Sequence, residues 1–100
     1  MEWKGRRTLV TGGASFIGSH LVDRLVEKGA DVCVVDNLSS GREEYLADHL
    51  AARRVAFVNA DLRDPDVAQE VTRKVSVVFH LAADHGGRGY VELVGYAPER

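Results

Sequence analysis

An α/β fold built on a parallel, doubly wound sheet is predicted for this chain, and three observations predict it. Short apolar runs alternate with stretches of helical spacing through most of the 100 residues. The runs TLVT, DVCVV and SVVFHL are rich in β-branched residues and mostly apolar, as expected of strands covered on both faces. A glycine-rich turn, TGGASFIG, follows the first run and opens a helical pattern.

The first strand covers residues 8–11 and is ended by Gly12 and Gly13. Over residues 17–28 the apolar positions 17, 21, 22, 25 and 26 fall on one helical face, and Gly29 ends that helix. Residues 31–35 form the second strand, followed by a polar loop over 36–41. A weaker helix over 42–52 carries Leu46 and Leu50 on one side. The third strand covers 55–58. Asp64 caps a third helix with Pro65 at its first position, where a missing N–H costs nothing. That helix runs to about Lys74, and the fourth strand covers 76–81. A loop with three glycines, ADHGGRG, and a segment of helical character, VELVGY, complete the pattern.

The order β-α-β-α-β-α-β implies right-handed crossovers and a spatial strand order 3-2-1-4. This is a Rossmann-type sheet with helices on both faces. It is incomplete, because the fifth and sixth strands of such sheets have no counterpart in the pattern. The fourth strand is then left with an open apolar edge, which predicts aggregation, self-association or a partner.

Composition narrows the function. The formal net charge of −2 gives no electrostatic reason for nucleic acid or an anionic membrane surface as partner. The arginine pairs at 6, 7 and at 53, 54 are too sparse for a basic stripe and read as solvated surface. Cys33 is the only cysteine, so neither an internal disulfide nor a thiolate metal cluster can form, and its apolar setting predicts an inert structural thiol. No metal site is expected. The charged opening residues are unlike a signal peptide, and no apolar run approaches the roughly 18 residues of a membrane span. A soluble, cytoplasmic protein is expected.

The turn carries the chemistry. Backbone N–H groups and the start of a helix would face a phosphate there. Gly12 and Gly13 permit the tight turn, and Gly18 lets the helix pack close to the sheet. Ser15 stands at the middle position, usually free of a side chain so that phosphates can approach. Asp36 closes the second strand, 18 residues after Gly18, where a carboxylate accepts hydrogen bonds from ribose hydroxyls. Its charge would repel a 2′-phosphate and so favours NAD over NADP, a preference that nearby Arg42 softens without reversing.

The stretches TGGASFIGSHLVDRL, VVDNLSSG, ADLRD and VFHLAAD resemble the extended short-chain dehydrogenase/reductase family. Within it they resemble the NAD-dependent nucleotide-sugar epimerases and dehydratases, over residues 7 to about 93. The resemblance implies that Gly12, Ser15, Phe16, Ile17 and Gly18 line a pyrophosphate, and that Asp36, Asn37, Ser40 and Gly41 lie along the adenosine ribose. It implies that Asp61 and Leu62 flank the adenine, while Leu81, Ala82 and Ala83 pass under the nicotinamide-side ribose. The Gly-Gly of the loop over 83–90 resembles the substrate loop of GDP-mannose 3,5-epimerases, which implies substrate contacts at Gly86, Gly87 and Arg88. His85 reads as a surface residue, and His80, inside the fourth strand, as a satisfied core histidine.

Members of that family use a Tyr-x-x-x-Lys pair: the tyrosinate takes the sugar hydroxyl proton and the lysine lowers the tyrosine pKa. Four residues on from Tyr45, Tyr90 and Tyr96 stand His49, Val94 and Arg100, so this sequence supplies no such pair and no catalytic residue. The chain is therefore expected to be the N-terminal cofactor portion of a longer enzyme that oxidises a hexose transiently with NAD. It would be a fragment, a truncated product or a subunit of a split protein, with the substrate domain elsewhere. The competing reading is a non-catalytic nucleotide-binding or interaction module.

Overall fold

The computed structural model describes residues 2–39 and 41–82, and the backbone of 92–95. Strands β1 (Arg7–Thr11), β2 (Asp31–Asp36), β3 (Val55–Asn59) and β4 (Val77–His80) are parallel, in the order β3-β2-β1-β4. The predicted architecture and strand order are thus those observed. In register, Leu9 stands between Cys33 and Val78, and Thr11 between Val35 and His80.

Strand alternation assigns the two faces. Val10, Val32, Val34 and Val55 project to one side, where they meet Val22 and Leu25 of helix α1 (Phe16–Glu27) and Leu46. Val10, Val22, Val34 and Leu46 are wholly buried, and each such side chain contributes about 1.5–3 kcal/mol through removal from water. Helix α3 (Pro65–Val71) lies over the other side, where Val71 shares a shallow cleft with Cys33, Ala56 and Val58. Cys33 is half-buried there, and its thiol pKa is raised by desolvation first and by the Asp31 charge second. That agrees with an inert thiol.

The helix ends follow local chemistry. Ser15 caps α1, and Gly29 at φ +85° ends it, with the Ala30 N–H reaching back to the Leu25 carbonyl at 3.0 Å. Asp64 caps α3 through a 2.9 Å bond from the Asp66 N–H, with Pro65 beside it as expected. Helix α3 stops at Val71, earlier than the pattern suggested. The Thr72 hydroxyl turns back onto the Ala68 carbonyl at 2.7 Å, and Lys74 adopts φ +60°. The expected helix over 42–52 divides into a 3₁₀ turn (Glu43–Leu46) and α2 (Ala47–Ala51). Across the surface, His49 Nε2 donates to Asp23 at 2.6 Å while the Arg54 guanidinium donates to its Nδ1 at 3.2 Å, tying α2 to α1.

Two expectations about the end of the pattern are corrected. Glu92–Gly95, read as helical, is a strand, β5, and it pairs antiparallel with β4. Val77 stands opposite Gly95 and His80 opposite Glu92. The edge of β4 is therefore paired, and the sheet order is β3-β2-β1-β4-β5. A short apolar run has no period that separates helix from strand, and the unsatisfied edge of β4 decides between them. No helix among the described residues is long and apolar enough to cross a membrane.

Candidate functional site

The C-terminal ends of β1, β2 and β4 converge on the turn between β1 and α1. Gly12 is the residue of the turn that needs a left-handed backbone, at φ +71°. It also needs to be small. A Cβ there would lie 2.8 Å from the Ala82 nitrogen and 2.9 Å from the Leu81 carbonyl carbon. Gly18 answers a second close approach, because a Cβ would collide with the Gly12 carbonyl oxygen and lie 2.8 Å from the Gly13 Cα. The turn is thus pressed between α1 and the end of β4.

Ser15 has a role that its place in the motif did not reveal. Its backbone is extended at φ −80°, so the position demands no left-handed conformation and serine carries no strain. Its hydroxyl donates to the Gly12 carbonyl at 2.8 Å and accepts from the Gly18 N–H at 2.9 Å. Ser15 closes the turn from inside and caps α1.

That cap leaves the next donors free. The N–H groups of Phe16 and Ile17 carry no hydrogen bond among the described residues, and both side chains are exposed. The first turn of α1 holds no acidic side chain, so nothing there neutralises the positive end of the helix dipole. Such an end suits an anion, and phosphate oxygens fit the free donors.

Asp36 is bound to the same turn. Its Oδ2 accepts from the Ala14 N–H at 3.0 Å and its Oδ1 from the Leu38 N–H at 2.8 Å. Each carboxylate oxygen keeps further acceptor capacity, which suits hydroxyl donors. Asn37 is exposed, and its side chain accepts from the Ser39 N–H at 3.0 Å. Gly41 packs on Asp36 and Ala14, and the Arg42 N–H donates to the Ala14 carbonyl at 3.0 Å.

The other expected positions are less uniform. Leu62 is half-buried after β3, next to Asp61. The Asp61 carboxylate is taken up by Arg63, through Nη2 to Oδ2 at 2.7 Å and the backbone N–H to Oδ1 at 2.9 Å. These bonds hold its pKa at about 2. Leu81 is half-buried and Ala82 exposed, both directly over Gly12. Ser40, Ala83, Gly86, Gly87 and Arg88 lie outside the described residues, as does His85.

Thr11, which the motif reading passed over, is a hub. Its buried hydroxyl lies 2.7 Å from His80 Nδ1, and it accepts from the N–H groups of Leu81 at 3.1 Å and Ala82 at 3.3 Å. With these two N–H groups pointing at its oxygen, the hydroxyl is placed to donate to Nδ1. His80 is accordingly a satisfied histidine, half-buried rather than fully enclosed. The signal available in the sequence was a threonine closing an apolar strand just before the glycines.

Comparison with known proteins places this geometry in a family. A model of the NAD dependent epimerase/dehydratase family matches residues 8–93. The UDP-glucose 4-epimerase of Mycolicibacterium smegmatis is 50% identical over 78 residues, which are 77% of this chain and 25% of that protein. UDP-glucuronic acid decarboxylase 2 of Arabidopsis thaliana is 42% identical over 82 residues, 82% of this chain and 17% of that protein. The crystal structure of the Thermus thermophilus UDP-glucose 4-epimerase complexed with NAD superposes with a TM-score of 0.66 at 41% identity, covering 78% of this chain and 24% of that one. The chain spans at most about a quarter of the length of these proteins. With the match covering most of its residues, the chain belongs to the NAD dependent epimerase/dehydratase family.

Proposed function

We propose that this chain is the N-terminal, NAD-holding portion of a nucleotide-sugar epimerase or dehydratase, with the substrate domain supplied elsewhere. The observation that carries the reading is the joining of the open α1 N-terminus to the Asp36 carboxylate through one residue, Ala14. The Phe16 and Ile17 N–H groups bind the pyrophosphate, with Gly12, Ser15 and Gly18 shaping the turn. Asp36 accepts from the adenosine ribose hydroxyls and repels a 2′-phosphate, and Asn37, Ser40 and Gly41 line the same side. Asp61 and Leu62 border the adenine; Leu81, Ala82 and Ala83 support the nicotinamide-side ribose. Gly86, Gly87 and Arg88 are assigned to the sugar nucleotide on the loop resemblance alone.

When bound, NAD supplies a hydride acceptor for transient oxidation of a hexose carbon and returns the hydride afterwards. The chain's own residues bind and orient; none of its tyrosines precedes a lysine by four positions. The chain by itself therefore holds cofactor without turning over a sugar. Epimerisation is favoured over dehydration by the Gly-Gly loop. Strand β5 occupies the β4 edge through which self-association was expected.

The alternative reading is a nucleotide-binding module with no catalytic role. Calorimetric titration with NAD, and NADP alongside, tests the cofactor reading. Binding of NAD tighter than NADP is expected, and no heat from either at millimolar concentration refutes it. Sugar epimerisation on adding a chain that supplies the Tyr/Lys pair separates the enzyme from the module.

A further inference from the structure

Gly41, like Gly18, is a glycine of the site whose backbone gives no reason for it. Its φ lies outside the left-handed region, unlike Gly12 at +71°. Space gives the reason. A Cβ at 41 would lie 2.9 Å from Asp36 Oδ2 and 3.0 Å from the Ala14 carbonyl oxygen. Ala14 is held on both sides, its N–H by that same Oδ2 at 3.0 Å and its carbonyl by the Arg42 N–H at 3.0 Å. The carboxylate is the only side chain among the three nearest neighbours, and it is the group that would give way.

We propose that Gly41 is a positioning residue that acts through Asp36. Its missing side chain lets the segment at 41–42 close onto Ala14, which seats Oδ2 on the Ala14 N–H and fixes the direction of the remaining lone pairs. Gly41 thereby sets the preference between NAD and NADP through the Asp36 carboxylate. The inference rests on the reading of Asp36 as the ribose acceptor, and it differs from the motif resemblance, which put Gly41 itself along the ribose.

The test places Gly41→Ala in two backgrounds, the natural chain and Asp36→Ser, whose side chain is too short to meet the added methyl. NAD affinity is expected to fall about tenfold in the natural background and less than about twofold in Asp36→Ser, since coupled neighbours depart from additivity. The ratio of NAD to NADP affinity falls in Gly41→Ala as well, because a displaced carboxylate repels a 2′-phosphate less. In parallel, hydrogen exchange at the Ala14 amide speeds up in Gly41→Ala. If Gly41→Ala is poorly folded, Asp36→Ser restores its urea midpoint. Equal losses in both backgrounds, an unchanged Ala14 amide or a failure of Asp36→Ser to restore folding each overturns the proposal. A natural chain that binds neither cofactor refutes the cofactor reading, and the exchange measurement then decides the positioning role separately.

Discussion

The Thr11 hydroxyl and the His80 imidazole meet at 2.7 Å across β1 and β4, directly beneath the Leu81–Ala82 segment that covers Gly12. Replacing Thr11 by valine keeps the shape and removes the oxygen. It leaves the Ala82 N–H without its acceptor and His80 Nδ1 without its donor. A loss of about 1–3 kcal/mol in urea unfolding is expected, because buried polar groups left unpaired carry their desolvation cost. Thr11→Ser keeps the oxygen and loses about 1 kcal/mol or less, the worth of one buried methyl group. Nitrogen NMR of His80 is expected to show the Nε2–H tautomer in the natural chain and a mixture in Thr11→Val. A mixture in both denies the bond.

Ser15 separates stability from binding. Ser15→Ala removes the cap of α1 and is expected to cost about 1 kcal/mol, whereas Ser15→Gly costs only a few tenths. Neither change alters NAD affinity much, since the hydroxyl is bonded to Gly12 and Gly18 inside the turn. Thermal or urea unfolding and calorimetry on the same two variants check both halves. A large loss of affinity in Ser15→Gly would mean that the hydroxyl reaches the ligand.

Asp61 should report its partner through its titration. The Arg63 guanidinium and backbone N–H hold its pKa at about 2, below the ordinary 3.8. A lowered folded-state pKa stabilises the folded chain fully above the ordinary value, and that contribution is lost as pH falls through about 2. Carboxyl-carbon NMR is expected to give a midpoint near 2, moving up toward 3.8 in Arg63→Gln. An unmoved midpoint assigns the shift to something other than Arg63.

The parallel sheet was legible in the sequence because its strands are short, apolar and set between helices of clear period. The caps at Asp64 and Gly29 were legible because both act within a few residues of themselves. What the sequence hid was non-local. The strand Glu92–Gly95 is defined by the β4 edge it pairs with, and its own six-residue surroundings favour no period. The glycines of the turn were visible, but the use of the Ser15 hydroxyl depends on the folded geometry of the turn. Likewise the contacts of Asp36 with Ala14 and of Thr11 with His80 join residues 22 and 69 positions apart.

Those separations bear on when the site comes into being during folding. Closing Thr11 onto His80 brings together residues 69 apart, and contacts of that range carry the loop-closure entropy that slows folding. The turn at Gly12 receives its lid of Leu81 and Ala82 only when β4 has docked, whereas α1 and its cap need only their neighbours in sequence. The candidate site is thus expected to form late in folding, even though its glycine motif lies within the first twenty residues. A nascent or partly refolded chain would already show helix, and it would gain affinity for cofactor only at the rate of the whole sheet.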